Sequence, residues 1–120
     1  MAKLSHVGIR VRDLDKSRKF YESALGFREV GAVDLGETRL AFLEAEGTTI
    51  ELVEKIHAPY PEGAPGSIHL AFEVPEVASE IRRLQACGIN LESKAPIAFQ
   101  GGFIFFFKGP DGEVLELCQA

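Results

Sequence analysis

Cysteine is scarce: Cys87 and Cys118 are the only two in 120 residues, too few for a disulfide-stapled secreted scaffold and without metal-ligand spacing. Both read as reduced and partly buried. Basic runs are missing as well. With 13 Lys and Arg against 18 Asp and Glu, the formal net charge is -5, and nothing is present to neutralise a phosphate backbone or dock on an anionic bilayer. Nucleic acid and membrane are therefore excluded as expected partners. No apolar run is long enough for a signal-peptide core or a bilayer span, so the chain reads as cytoplasmic. Low-complexity tracts are absent too, and a composition 46% hydrophobic and 26% charged is that of a folded globular core. Domains usually run about 100 to 150 residues, so this length holds one. Any second site must be built within that fold or with another copy of it.

What is present is a duplication. An offset of 63 residues (69 minus 6) lays His6 on His69 and Val11 on Val74, within Ser5-His6-Val7-Gly8-Ile9-Arg10-Val11 and Ile68-His69-Leu70-Ala71-Phe72-Glu73-Val74. Both segments alternate like half-buried strands. An offset of 65 (116 minus 51) then lays Glu51 on Glu116, Leu52 on Leu117, Phe42 on Phe107 and Gly47 on Gly112. Between strands, Leu14, Ser17, Tyr21, Ala24 and Leu25 follow helical spacing, with Asp13 or Asp15 as N-cap and Gly26 as left-handed C-cap. Val77, Ile81 and Leu84 repeat that helix, Pro75-Glu76 suits its first turn, and Gly88 takes the place of Gly26.

Each half thus reads strand, helix, three strands. The first set of three spans about 31–33, 40–44 and 48–53; the second about 90–93, 102–108 and 114–118, with Gly109-Pro110-Asp111-Gly112 as a hairpin signal. The segment 56–66, with three prolines and no period, reads as a linker between module one (about 4–55) and module two (about 67–119) of a single domain, 1–120. The expectation is an α+β fold of two tandem βαβββ modules, forming a curved, half-open mixed sheet.

Parity along the strands locates the chemistry. Val7, Ile9 and Val11 share one face and leave His6, Gly8 and Arg10 on the other; Leu70, Phe72 and Val74 leave His69. Ile50 and Leu52 oppose Glu51, and Leu115 and Leu117 oppose Glu116. Two imidazoles and two carboxylates therefore lie opposite the helix-packing faces, and if the two sheets curve toward each other they converge on one concave surface, a set able to hold a divalent metal. Such a donor set suits Zn, Ni, Co, Mn or Fe better than Ca or Mg, which prefer oxygen shells. Octahedral coordination by His6, Glu51, His69 and Glu116 leaves two neighbouring positions, enough to chelate two substrate oxygens. A lone strand histidine is more often ordinary packing than a ligand; what raises this set is that each half supplies one His and one Glu with the same facing. His57, in the linker and without a counterpart, reads as bland. Phe99, Phe103, Phe105 and Phe107 would line a cleft or fill a core.

At these residues the chain resembles the vicinal oxygen chelate superfamily, and within it the small bacterial glyoxalase I-type lyases. The resemblance covers nearly the whole chain. It rests on the opening from Ser5 to Leu14, on Phe20-Tyr21-Glu22-Ser23-Ala24-Leu25-Gly26-Phe27, on Thr49-Ile50-Glu51-Leu52-Val53, on the segment from Ile68 to Val74, and on Gly109 to Leu117. It implies His6, Glu51, His69 and Glu116 as metal ligands, and a hemithioacetal of methylglyoxal and glutathione isomerised to S-lactoylglutathione through an enediolate. Glu116 matches the usual base, and Glu51 is the second carboxylate able to carry a proton. Arg10 matches an arginine that binds the glutathione portion; a strand arginine paired with Glu73 or another acid is the alternative. A homodimer is also implied, with active sites that the proline-bearing linker permits to be shared between chains.

The chain departs from the glyoxalase pattern after Glu51, where an Asn is often found and Glu54-Lys55-Ile56 stands instead, and no Arg precedes His69. Leu40-Ala41-Phe42-Leu43 and Ile50-Glu51-Leu52 are also similar to methylmalonyl-CoA epimerases, the enzymatic alternative. A metal-free antibiotic-binding module is the alternative from another class, and retention of all four ligand-type residues counts against it. The complete quartet also argues against fosfomycin-modifying enzymes and extradiol dioxygenases, which typically use three ligands.

Overall fold

The computed structural model describes residues 5–59, 69–92, 94–99 and 101–119. The chain divides into two units, Met1–Pro61 and Glu62–Ala120. Most of the expected linker, from residue 60 on, lies outside the described residues, as do Ile68 and Ser93.

In the first unit β1 (Val7–Val11) leads into α1 (Leu14–Leu25), followed by β2 (Arg28–Asp34), β3 (Thr38–Ala45) and β4 (Thr48–Lys55). The sheet order is β1-β4-β3-β2, parallel between β1 and β4 and antiparallel elsewhere. The helix forms where the spacing predicts it. Asp13 accepts the Lys16 N–H at 3.0 Å as N-cap, Leu14, Ser17, Tyr21 and Ala24 form the buried stripe, and Gly26 ends the helix at φ 74°. The stripe packs on β2, β3 and β4. There Ala41, Leu43, Ile50 and Leu52 are buried. Glu46 and Gly47, both at positive φ (50° and 80°), make the two-residue turn that lets β3 return directly as β4.

The second unit repeats the plan with β5 (His69–Glu73), α2 (Val77–Ala86), β6 (Ile97–Phe99), β7 (Gly102–Lys108) and β8 (Val114–Gln119), in the order β5-β8-β7-β6. Val77 and Leu84 bury the helix against β7 and β8, where Phe105, Phe107, Leu115 and Leu117 are buried. The helix begins at Val77, so Pro75 and Glu76 precede its first turn rather than occupy it, Glu76 being the N-cap. Gly88 is left-handed (φ 83°), two residues past the last helical residue.

One element differs outright from the sequence reading. Asn90 to Glu92 do not form a strand: Asn90 Oδ1 accepts the Glu92 N–H at 3.0 Å and Glu92 sits at φ 56°, a side-chain-closed turn that extended backbone does not allow. Leu91 alone is buried there and supplied the misleading apolar signal. The strand instead follows Pro96, as Ile97–Phe99 on the edge of the sheet.

Both units share a device not visible as a motif. Glu54 Oε2 accepts the N–H of Leu14 at 2.8 Å, and Gln119 Oε1 accepts that of Val77 at 2.6 Å. Each helix is thereby tied by its first N–H to the last strand of its own unit, three residues beyond Glu51 or Glu116. No helix among the described residues is long and apolar enough to cross a membrane.

Candidate functional site

In the first unit Ile50 and Leu52 are buried on the helix side of the sheet, so Glu51 between them emerges on the other, with its side chain 20% exposed. β1 lies beside it with Gly8 in register with Glu51, and His6 precedes Gly8 by two residues on the same side. A Cβ on Gly8 would come within 3.4 Å of Glu51 Oε1, so the bare glycine leaves the carboxylate room. On the other flank Phe42 is the β3 partner of Glu51, and its ring meets the His6 imidazole edge-on (centroids 5.6 Å apart, planes at 89°). Ser5 Oγ lies 2.9 Å from His6 Nδ1, and His6 Nε2 faces Glu51 Oε1 at 3.9 Å.

The second unit reproduces this arrangement. Glu116, 15% exposed, emerges between buried Leu115 and Leu117, with Ala71 of β5 and Phe106 of β7 as its register partners. His69 Nε2 stands 3.1 Å from Glu116 Oε1, and the Phe106 ring meets the imidazole at 6.1 Å and 77°. Each aromatic ring restrains an imidazole whose side chain is otherwise open, 36% exposed for His6 and 51% for His69.

Phe106, not Phe107, is therefore the counterpart of Phe42. The ladder pair Ala45–Thr48 encloses two turn residues, whereas Gly109 and Glu113, joined by a 2.9 Å N–H to carbonyl bond, enclose three. One extra residue shifts the β7 correspondence by one and moves Phe107 to the core face. Phe105 and Phe107 are core residues, stacked at 6.4 Å, while Phe99 and Phe103 are exposed.

The pairs fit a divalent ion. Zinc-type bonds to nitrogen and oxygen are about 2.0–2.2 Å long, so two donors on one ion stand about 3.0 Å apart at a right angle and about 3.4 Å at the tetrahedral angle. The His69–Glu116 separation lies in that range, and the His6–Glu51 pair is slightly wider. Among the described residues no three His, Cys, Asp or Glu side chains are clustered; the structure brings His6 to Glu51 and His69 to Glu116.

Arg10, on the His6 face, donates to the carbonyls of Ala58 (3.1 Å) and Pro59 (3.5 Å), and its buried Nε has no partner among the described residues. The segment after β4 thus holds the guanidinium by backbone acceptors. Glu54, in the stretch where the sequence departs from the glyoxalase pattern, is occupied by Leu14 N–H and by Arg39 Nη1 at 3.2 Å, a structural role. His57 lies exposed in a turn, as its bland reading expected. Cys118 follows Glu116 by two residues on the same face, where burial, and behind it the carboxylates of Glu116 and Glu73, push its thiol up. That favours a neutral thiol beside the carboxylate.

The family model for the glyoxalase/bleomycin resistance protein/dioxygenase superfamily matches residues 3–117. The chain belongs to that superfamily. Protein YwbC of Bacillus subtilis is 32% identical over 127 residues, covering 99% of both chains. A probable lactoylglutathione lyase of Vibrio parahaemolyticus is 31% identical over 124 residues, covering 98% of this chain and 90% of its own. Among solved structures, a glyoxalase family protein of Enterococcus faecalis superposes with a TM-score of 0.82 at 28% identity, covering 98% of this chain and 97% of that one. The fosfomycin resistance protein FosX of Listeria monocytogenes, solved with Mn(II) and a dihydroxypropylphosphonic acid, has a TM-score of 0.77 at 23% identity over 98% and 90% of the two chains, a likeness of fold. The glyoxalase superfamily fold of tandem modules is thus established for this chain, whose relatives include a probable lactoylglutathione lyase.

Proposed function

We propose that the protein is a metal-dependent lyase or isomerase of the glyoxalase I type, acting in the cytoplasm on a small molecule with two vicinal oxygens. Lactoylglutathione lyase activity is the specific form of the proposal, supported by relatives of that name at 31% and 32% identity. The observation that carries the reading is the repeated pair: one imidazole nitrogen and one carboxylate, each braced by an edge-on phenylalanine, at equivalent register positions of two sheets. Packing alone gives no reason for both sheets to expose the same two donor types at the same place.

A divalent transition metal held by His6, Glu51, His69 and Glu116 would supply Lewis-acid polarisation of the two substrate oxygens. Glu116 takes the proton from the carbon beside the carbonyl on its carboxylate and returns it to the neighbouring carbon, the move that converts a hemithioacetal to a thioester. Glu51 holds the equivalent position in the first unit and serves a proton transfer from that side. Arg10 binds an anionic end of the substrate with the guanidinium edge that the Ala58 and Pro59 carbonyls leave free.

Metal analysis of untagged protein, beside a lactoylglutathione assay on methylglyoxal and glutathione, tests the reading. The expected result is about one transition metal per chain, lost in His69→Ala, with turnover that disappears on chelation and returns with metal. Metal-free protein that takes up no Ni, Co, Mn or Zn would overturn it.

A further inference from the structure

The two histidines hold equivalent places, each two residues before the register partner of its unit's glutamate, yet are differently supported. His6 has a side-chain partner on its second ring nitrogen, Ser5 Oγ at 2.9 Å from Nδ1, while its Nε2 points to Glu51. The residue at the corresponding place before His69 is Ile68, a type with no side-chain acceptor. A neutral imidazole carries one proton, and the nitrogen that carries it cannot coordinate a cation. In water the neutral ring favours the proton on Nε2, the nitrogen here turned to the carboxylate. An acceptor on Nδ1 reverses that preference. The distance from His6 Nε2 to Glu51 Oε1, 3.9 Å, is too long for a hydrogen bond that would hold the proton on Nε2.

We propose that Ser5 is a positioning residue: its hydroxyl oxygen accepts the Nδ1–H of His6, fixes that tautomer and ring orientation, and leaves the Nε2 lone pair free for a divalent cation. This rests on the metal-site reading above. It makes the first unit's pair the one prepared before metal arrives. The Phe42 edge contact limits the tilt of the ring and Ser5 selects the proton position, so two independent restraints act on one imidazole. Partners of this kind typically change metal affinity roughly 10- to 100-fold when removed. Ser5 lies exposed ahead of β1, so replacing it removes no core contact.

The test uses the full chain, with Ser5→Ala and Ser5→Thr beside the wild type, and has two readouts. Long-range nitrogen–proton correlation on metal-free protein, above the titration range of histidine, reports the His6 tautomer. Competition of Zn with a chromophoric chelator reports affinity. The expected result is an Nδ1–H tautomer in wild type and Ser5→Thr, a shift toward Nε2–H in Ser5→Ala, and Zn affinity lower in Ser5→Ala by roughly 10-fold or more. An unchanged tautomer in Ser5→Ala overturns the proposal, and so does a changed tautomer with unchanged Zn affinity in a protein that His6→Ala does weaken. Wild type that binds no Zn overturns the metal-site reading, and the positioning role of Ser5 with it.

Discussion

Glu116 and Phe106 face each other across the β7–β8 ladder, and Phe106 turns its ring edge-on to the imidazole that stands 3.1 Å from the carboxylate. Glu51 and Phe42 repeat the relationship in the first sheet. An aromatic neighbour leaves the imidazole's rotation restricted while contributing no competing acceptor, and the carboxylate is the polar group its Nε2 faces among the described residues of each unit. The arrangement separates two tasks on one strand: Leu115 and Leu117 hold β8 in the core, and Glu116 between them is presented at a fixed height.

Replacing Glu116 by Gln keeps volume and packing while removing the proposed base. We expect a folded protein with weakened metal binding and turnover reduced by at least about 100-fold, the range over which positioned general bases act. Circular dichroism and thermal unfolding check the fold, and steady-state kinetics the loss. Turnover equal to wild type would remove Glu116 from the chemistry.

Chain sharing has its own signature. His6→Ala and Glu116→Ala chains are each expected to be inactive alone. If sites combine residues of two chains, as we expect, random re-pairing of equal amounts gives half heterodimers, each with one intact site of two, and about a quarter of wild-type activity returns. No recovery after verified exchange would assign each site to a single chain.

The duplicated helix tie gives a stability prediction. Glu54→Ala deprives the Leu14 N–H of its acceptor and leaves Arg39 only its ion pair with Asp15 among the described residues, and is expected to cost about 1 kcal/mol or somewhat more, seen as a drop of roughly 4 °C in Tm. Glu54→Gln installs the residue type that performs the same task at Gln119, and should lose less. Equal losses in both would mean that the charge, not the hydrogen bond, supplies the stabilisation.

Much of this was legible because it depends on periodicity. Alternation set the faces of β1, β4, β5 and β8, so Glu51 and Glu116, with His6 and His69 beside them, could be placed opposite the helix-packing faces from parity alone. Gly26 announced the end of α1, and the choice of Asp13 or Asp15 announced its start to within a turn. What was not legible depends on counting through turns and on tertiary partners. The extra residue between Gly109 and Glu113 changes which phenylalanine of β7 faces the site, and only the ladder reveals it. The Asn90–Glu92 turn is closed by a side chain that sequence spacing reads equally well as strand or loop. Glu54 and Gln119 are far in sequence from the helices they tie, 40 and 42 residues away, so no local motif marks them. Ser5 stood beside His6 in plain view, but its role appears only when the ring orientation is known.

The register of β7 can be tested without any assay of function. Phe105 is buried against the helix side of the sheet and stacks on Phe107, whereas Phe103, two residues earlier on the same strand, is exposed near the edge. Phe105→Ala should therefore cost about 3–5 kcal/mol, and Phe103→Ala less than about 1 kcal/mol, by denaturant unfolding. Because domains of this size are stable by only about 5–15 kcal/mol, Phe105→Ala leaves little margin, and Phe105→Leu provides a graded version with a smaller loss. Phe106→Ala separates packing from function: its half-buried ring should cost less stability than Phe105 yet loosen the His69 imidazole, lowering metal affinity where Phe103→Ala does not. A Phe106→Ala protein with wild-type metal affinity would show that the edge-on contact leaves ligand placement unchanged.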